Sequence, residues 1–276
     1  MRVLVTGSEG RVASGIKQHL DGDSPHEFVY LDREDAPDVD FVADISDYEA
    51  IRPAFDGVDA VVHLAANPAV SASWESVEQS NLVGTRNVLE AASDAEVERF
   101  LFASSIHAAG MWEEEGKPEV YELDDDTNVT VDDDERPDSY YGVSKAYGED
   151  MGRFYIEQRE YPKRFYAARI ASIRGGLYDN PYGDAEKGVE RGDWERGDPE
   201  YTEQVKRLKG TWLSLRDWAQ LVELCLTDEE TAFGIFFATS DNPRSWFDLE
   251  HTKELLGYEP QDSASDWQSP PSELLE

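Results

Sequence analysis

The chain has 276 residues, with 60 Asp and Glu against 25 Lys and Arg, for a formal net charge of −35. That length allows one large α/β domain or two small ones, with enough core to need no disulfide or metal. A balance this acidic repels nucleic acid and anionic lipid, and a single cysteine rules out a disulfide framework or a thiolate metal cage.

Short apolar runs alternate with helical patterns through the first two thirds. "RVLVT" (2–6) reads as a buried parallel strand, apolar on both faces. "RVASGIKQHL" (11–20) carries a helical stripe at Val12, Gly15, Ile16 and Leu20. Further strands are expected at 27–32, 40–44, 59–66, 99–105 and 164–170, with helical stretches near 47–55, 74–92 and 140–159. This alternation specifies an α/β fold, a parallel sheet with helices on both faces. Between Gly110 and Arg136 the pattern fails, and the acidic stretch reads as a surface loop or insertion. Residues 175–201, rich in Gly, Asp and Tyr, read as a long irregular segment. An amphipathic helix follows at 213–226, with Cys225 as a buried small hydrophobe. A last strand at 234–239 and a helix at 248–258, stopped by Gly257, complete the order. The tail from 261 to 276 reads as loose. No apolar run approaches the roughly 18 residues of a membrane span. The opening "MRVLVTG" shows no leader pattern, so a cytoplasmic protein is expected.

"VTGSEGRVASG" joins the first strand to the first helix. Gly7 permits a tight turn, Gly10 lets the backbone approach a diphosphate, and Ala13 is small enough for close packing. Asp32 ends the second strand, where an acid accepts hydrogen bonds from an adenosine ribose. The alternative for Asp32 is a turn residue. Its charge favours NAD over NADP, although Arg33 beside it could take the extra phosphate. Asp44 stands either at the adenine edge or in an ordinary turn.

In "SYYGVSKAYGED" (139–150), Tyr141 and Lys145 are four apart and share a helix face. Such a pair alone is an ordinary surface coincidence. It gains meaning from "FASS", a strand end with Ser104 and Ser105 that should face the same crevice. Tyr140 has Ser144 at the equivalent spacing and reads as a neighbour rather than the base.

Taken together, the glycine turn, Asp32, "HLAA", "SS" and "YGVSK" resemble the extended short-chain dehydrogenase/reductase family over nearly the whole chain. "FASSIHAAG", "YYGVSKAYGED", "TWLSLRDW", "SDNPRSWFDL" and "LGYEPQD" resemble most its sugar C1 dehydrogenases, the uronate dehydrogenases and the haloarchaeal NAD-dependent glucose-6-phosphate dehydrogenase. The resemblance implies a Rossmann-type doubly wound sheet over 1–172 with the catalytic helix, and a small substrate-binding portion at 173–276 interleaved with it. It adds Arg11, Val12, Ile45, Leu64, Ala65 and Ala66 to the NAD-binding set. It implies Tyr141 as general base, Lys145 on the nicotinamide ribose and Ser105 on the reacting oxygen. The Tyr141 phenol, ordinarily near 10, would then have to fall by about 2–3 pH units, worth about 3–4 kcal/mol.

Ser172 and His107 resemble sugar-contacting positions, and Arg207, five residues before Trp212, an anchor for a carboxylate or phosphate. Solvated charge is the alternative for Arg207. Where relatives read "SSNH" this chain reads "SSIH", and Ile106 cannot hydrogen-bond a sugar. The reading is NAD-dependent oxidation of a sugar, uronate or sugar phosphate at C1, by a homo-oligomer built through the helices at 74–92 and 140–159. Two alternatives stand: a nucleotide-sugar epimerase or dehydratase with retained NAD, and a non-enzymatic dinucleotide-binding redox sensor.

The acids are spread along the chain between ordinary hydrophobic segments. That is the pattern of a halophilic surface, where molar salt screens carboxylate repulsion within about 3 Å. Dialysis from molar KCl into dilute buffer should therefore collapse the circular dichroism spectrum; an unchanged spectrum would refute halophilic adaptation.

Overall fold

The computed structural model describes residues 1–275. Among these, seven strands form one sheet, all neighbours parallel, in the order β3-β2-β1-β4-β5-β6-β7. The strands are β1 (Arg2–Thr6), β2 (Glu27–Asp32), β3 (Phe41–Val42), β4 (Ala60–His63), β5 (Arg99–Ser105), β6 (Arg164–Ile170) and β7 (Phe233–Ala238). The order reverses between β1 and β4, which opens a crevice at the carboxyl ends of these strands. The helices are α1 (Ala13–His19), α2 (Tyr48–Ile51), α3 (Trp74–Val77), α4 (Gly84–Asp94), α5 (Met111–Gly116), α6 (Tyr140–Gln158), α7 (Gly183–Arg191), α8 (Pro199–Thr211), α9 (Leu215–Thr227) and α10 (Leu249–Leu256).

Strand periodicity sorts the core into two layers. Val3, Val5, Leu101 and Ala103 point to one face and pack with Ile16 of α1 and Trp218 and Leu221 of α9. Their neighbours Leu4, Phe100 and Phe102 point to the other and pack with Val88 and Leu89 of α4 and Tyr155 of α6. Successive residues of a strand alternate faces, so strands buried on both sides are apolar throughout.

Helix α6 lies unusually close to the sheet. A Cβ on Gly148 would stand 2.2 Å from the ring of Phe102, and one on Gly152 2.1 Å from that of Phe165. Those rings cannot retreat, because Phe165 is stacked between Phe100 and Phe233 at centroid distances of 5.5 and 5.8 Å. The two glycines therefore set how near the helix approaches the strand ends.

Four expectations need correction. The acidic stretch 110–136 is not all surface loop: it contains α5, and Val120, Tyr121 and Val129 bury against Phe237, Trp246 and Phe247. Their partners lie more than a hundred residues away, so no local stripe announces them. Residues 175–201 are not irregular: they hold α7 and the start of α8. The inward side of α7 carries small residues and the acid Glu186, which meets Arg196 and Tyr201, and so does not read as an apolar stripe. The tail is tied down, with Asp262 paired to Arg216 at 2.6 Å and Trp267 edge-on to Trp212; its last residue, Glu276, lies outside the described residues. The strand expected at 40–44 shrinks to two residues, since Asp40 accepts the Tyr30 N–H and Asp44 that of Ser46.

Replacing a mid-helix glycine by alanine ordinarily stabilises by about 1 kcal/mol. Gly152→Ala should instead destabilise by about 1–3 kcal/mol through overpacking against Phe165, read as a lower denaturation midpoint in saline buffer. A raised midpoint would show that the α6–sheet contact is not tight.

Candidate active site

A cleft of about 490 Å³ runs across the carboxyl ends of the strands. Every cofactor, catalytic and substrate residue named from the sequence lines it, from Gly7 through Asp32 and Asp44 at one end to Ser105, Tyr141, Lys145 and Arg207 at the other.

Gly7 sits at φ +74°, and a Cβ there would stand 2.6 Å from the Ala65 backbone. Only glycine lets the turn press against the end of β4. Gly10 N–H bonds Gly7 O and Ala13 N–H bonds Gly10 O, both at 3.1 Å. Among the described residues, the intervening N–H groups of Arg11 and Val12 are left over, facing an anion's place. Asp32 is buried, and its carboxylate accepts Glu9 N–H at 2.9 Å and Glu34 N–H at 3.1 Å. Asp32 thus ties two turns and lines the cleft. A carboxylate for ribose hydroxyls, free N–H groups for a diphosphate and an ammonium beyond them fit a dinucleotide.

At the other end Ser139 caps α6, its hydroxyl accepting Gly142 N–H at 3.0 Å. The cap starts the helix so that Tyr141 and Lys145 face the cleft, while Tyr140 is 53% exposed outside it. Lys145 is 4% exposed and donates to Ala103 O at 2.7 Å, with its ammonium 5.4 Å from the Tyr141 ring centre. Burial lowers Lys145 to about 7, and Glu149, one turn on, opposes this. Burial also raises the Tyr141 phenol above 10; the Ser105 hydroxyl works against the rise and Asp138 adds to it. The fall expected from sequence was assigned to Lys145 together with the positively charged nicotinamide, and the side chains by themselves do not supply it.

His107 stands edge-on to Tyr141, and its Nδ1 meets Asp138 at 2.6 Å. Ser172 is held by the Thr211 hydroxyl at 2.9 Å. Ile106 is 3% exposed and forms an apolar wall. Arg207 reaches the cleft, but its Nε and Nη2 already donate to Glu113 at 2.6 and 3.1 Å. Arg174 also lines this end and is paired through two nitrogens with Asp184.

Several site residues escaped the sequence reading. Asn81 lies in a π-helical turn, Glu78–Val83, between α3 and α4. Its amide donates to Ser144 Oγ at 2.9 Å, and Ser144 in turn donates to Tyr141 O. A π turn of this kind re-aims one side chain out of the helical register, and the available signal was a polar residue on an otherwise inward face. Glu149 accepts Ser104 Oγ at 2.5 Å and Arg169 Nε and Nη2 at 3.0 and 2.8 Å. This network ties α6 to β5 and β6. The signal was Glu149 at one helical turn from Lys145. Asp184 and Glu113 fell in stretches read as irregular or loop, and Arg174 immediately before one of them.

The described residues contain no group of His, Cys, Asp and Glu able to hold a metal, and no helix among them is long and apolar enough to cross a membrane. Comparison with known proteins agrees with the geometry. The chain is 34% identical to the NAD-dependent glucose-6-phosphate dehydrogenase of Haloferax volcanii, over 96% of this chain and 95% of that one. It is 33% identical to the L-arabinose 1-dehydrogenase (NAD(P)(+)) of the same organism, over 96% and 98%. The glucuronic acid dehydrogenase structure from Chromohalobacter salexigens superposes with a TM-score of 0.75 at 28% identity, over 97% of this chain and 86% of that one. The pattern of the NAD dependent epimerase/dehydratase family matches residues 3–186. With a glycine turn, a strand-end acid and a Tyr–Lys helix around one crevice, the chain belongs to the NAD-dependent epimerase/dehydratase family, and NAD is its cofactor.

Proposed function

We propose that this protein is an NAD-dependent oxidoreductase that oxidises a sugar at C1 to the lactone. The observation that carries the reading is the convergence of Tyr141, Lys145 and Ser105 at one end of a dinucleotide-shaped cleft. Relatives over almost the full length act on glucose 6-phosphate and L-arabinose, which supports a sugar as the substrate class.

Ser105 hydrogen-bonds the anomeric oxygen and fixes it beside Tyr141. The Tyr141 phenolate takes the proton from that oxygen, while the C1–H bond breaks. Bound NAD supplies the acceptor for the hydride that leaves C1. Lys145 holds the ribose next to the nicotinamide and keeps positive charge under the phenol. Burial has raised the phenol and lowered the ammonium, so a further positive charge, the oxidised cofactor's own, is needed for Tyr141 to ionise near neutral pH. His107, oriented by Asp138, and Ser172, oriented by Thr211, hold sugar hydroxyls. Asp32 selects the ribose diol over a 2′-phosphate.

Residues 173–276 are read as the substrate portion: Arg174, and Arg207 of α8, reach the sugar end of the cleft, while β7, α9 and α10 join the core. Exposed Trp74, Tyr140, Val143 and Phe154 lie along α3 and α6, and support self-association through those helices. The acidic surface is read as adaptation to a salt-rich cytoplasm.

Tyr141→Phe removes one hydroxyl without changing the ring. It should lower kcat by about 100-fold or more, the scale of a lost general base, while NAD still binds, as followed by quenching of tryptophan fluorescence. Near-normal turnover in this variant would remove Tyr141 from the mechanism.

A further inference from the structure

We propose that Glu113 sets the substrate class: by holding Arg207 in a two-point ion pair it fits the cleft to neutral sugars rather than uronates or sugar phosphates. The inference rests on the C1-oxidation reading above and concerns the far end of the same sugar.

Arg207 offers a planar fork of N–H groups, the shape that recognises a carboxylate or phosphate through two parallel hydrogen bonds. In this chain that edge is filled from within. Nε donates to one Glu113 oxygen at 2.6 Å and Nη2 to the other at 3.1 Å. The Tyr121 hydroxyl donates to the same carboxylate at 2.7 Å. Glu113 is 6% exposed and Tyr121 2%, so the acid cannot turn out to solvent. An anionic substrate competing for Arg207 would leave Glu113 charged, buried and short of its main partner, which is strongly unfavourable. Burial pushes the Glu113 carboxyl up, but Arg207 and Tyr121 more than offset this and hold it below its ordinary value. The clamp therefore persists at neutral pH.

The rest of the sugar end is compensated in the same way. Arg174, the second guanidinium there, is matched by Asp184 through two nitrogens. Lys206, beside Arg207, is paired with Glu122. Arg11, at the dinucleotide turn, lies near enough to Arg174 and Asp184 to feel both charges. What faces a substrate is Ser105, His107, Ser172 and the apolar wall of Ile106. Hydroxyls suit these groups, and the two guanidiniums that line this end, Arg174 and Arg207, each already hold a carboxylate through two nitrogens. In molar salt, screening within about 3 Å removes any long-range attraction, so contact partners alone decide.

The test uses sugars matched in ring configuration: D-galactose and L-arabinose against D-galacturonate, and D-glucose against D-glucuronate and D-glucose 6-phosphate. NADH formation is followed in molar KCl for the intact protein and for Glu113→Gln, which keeps the shape and removes the charge. The native protein should show the higher kcat/KM on the neutral member of a series. Glu113→Gln should shift the ratio toward the anionic member by about ten- to a hundredfold, the worth of one charged hydrogen bond. Tyr121→Phe, which loosens the clamp by one hydrogen bond, should shift it the same way by less, and covers the case that the Gln variant does not fold. A native preference for glucuronate or glucose 6-phosphate over glucose would overturn the assignment while leaving C1 oxidation standing. So would an unchanged ratio in a folded Glu113→Gln protein. NADH from none of these sugars, with the circular dichroism intact, would overturn C1 oxidation and the assignment with it.

Discussion

The site depends on one contact, the close seat of helix Tyr140–Gln158 on strands β5 and β6. Gly148 and Gly152 let the helix backbone reach within a ring's thickness of Phe102 and Phe165. That distance brings the Lys145 ammonium to Ala103 O at 2.7 Å, and Tyr141 alongside Ser105 at the strand end. The Glu149–Arg169–Ser104 network locks the same helix against rotation, with Glu149 and Arg169 each 1% exposed. A buried ion pair of this kind contributes little net stability but is costly to break. Its value here is positional: it fixes which face of the helix meets the cleft.

Charge is handled differently outside and inside. The surface carries a large excess of carboxylates. In the cleft, acids are matched to bases at contact distance: His107 with Asp138, Arg174 with Asp184, Arg207 with Glu113. Lys145 differs from these three, with no carboxylate in contact and burial drawing it down to about 7. It is the cation placed beside the reacting tyrosine.

The sequence made the cofactor half legible because its constraints are local. Gly7 and Gly10 follow a strand and open a helix, Asp32 ends the next strand, and Tyr141 and Lys145 share a helix face. Each is a spacing of a few residues that backbone geometry converts directly into position. The sugar half was illegible for the opposite reason. Glu113 and Arg207 are 94 residues apart, and their meeting depends on α5 and α8 being laid side by side. Both helices bury polar side chains, so neither shows the apolar stripe by which helices are read. Arg207 was read as a substrate anchor through the resemblance to uronate dehydrogenases, but its partner could not be read. Val120 and Tyr121 likewise find much of their core in residues far along the chain, Phe237, Trp246 and Phe247.

The central claim is that this cleft removes hydride from C1 of a sugar. The most direct measurement is a turnover in molar KCl with NAD and a sugar deuterated only at C1, the NADH then being examined by mass spectrometry. The account predicts one deuterium on the NADH and slower turnover than with the unlabelled sugar. NADH without deuterium, or a sugar changed in configuration with no NADH released, would contradict it.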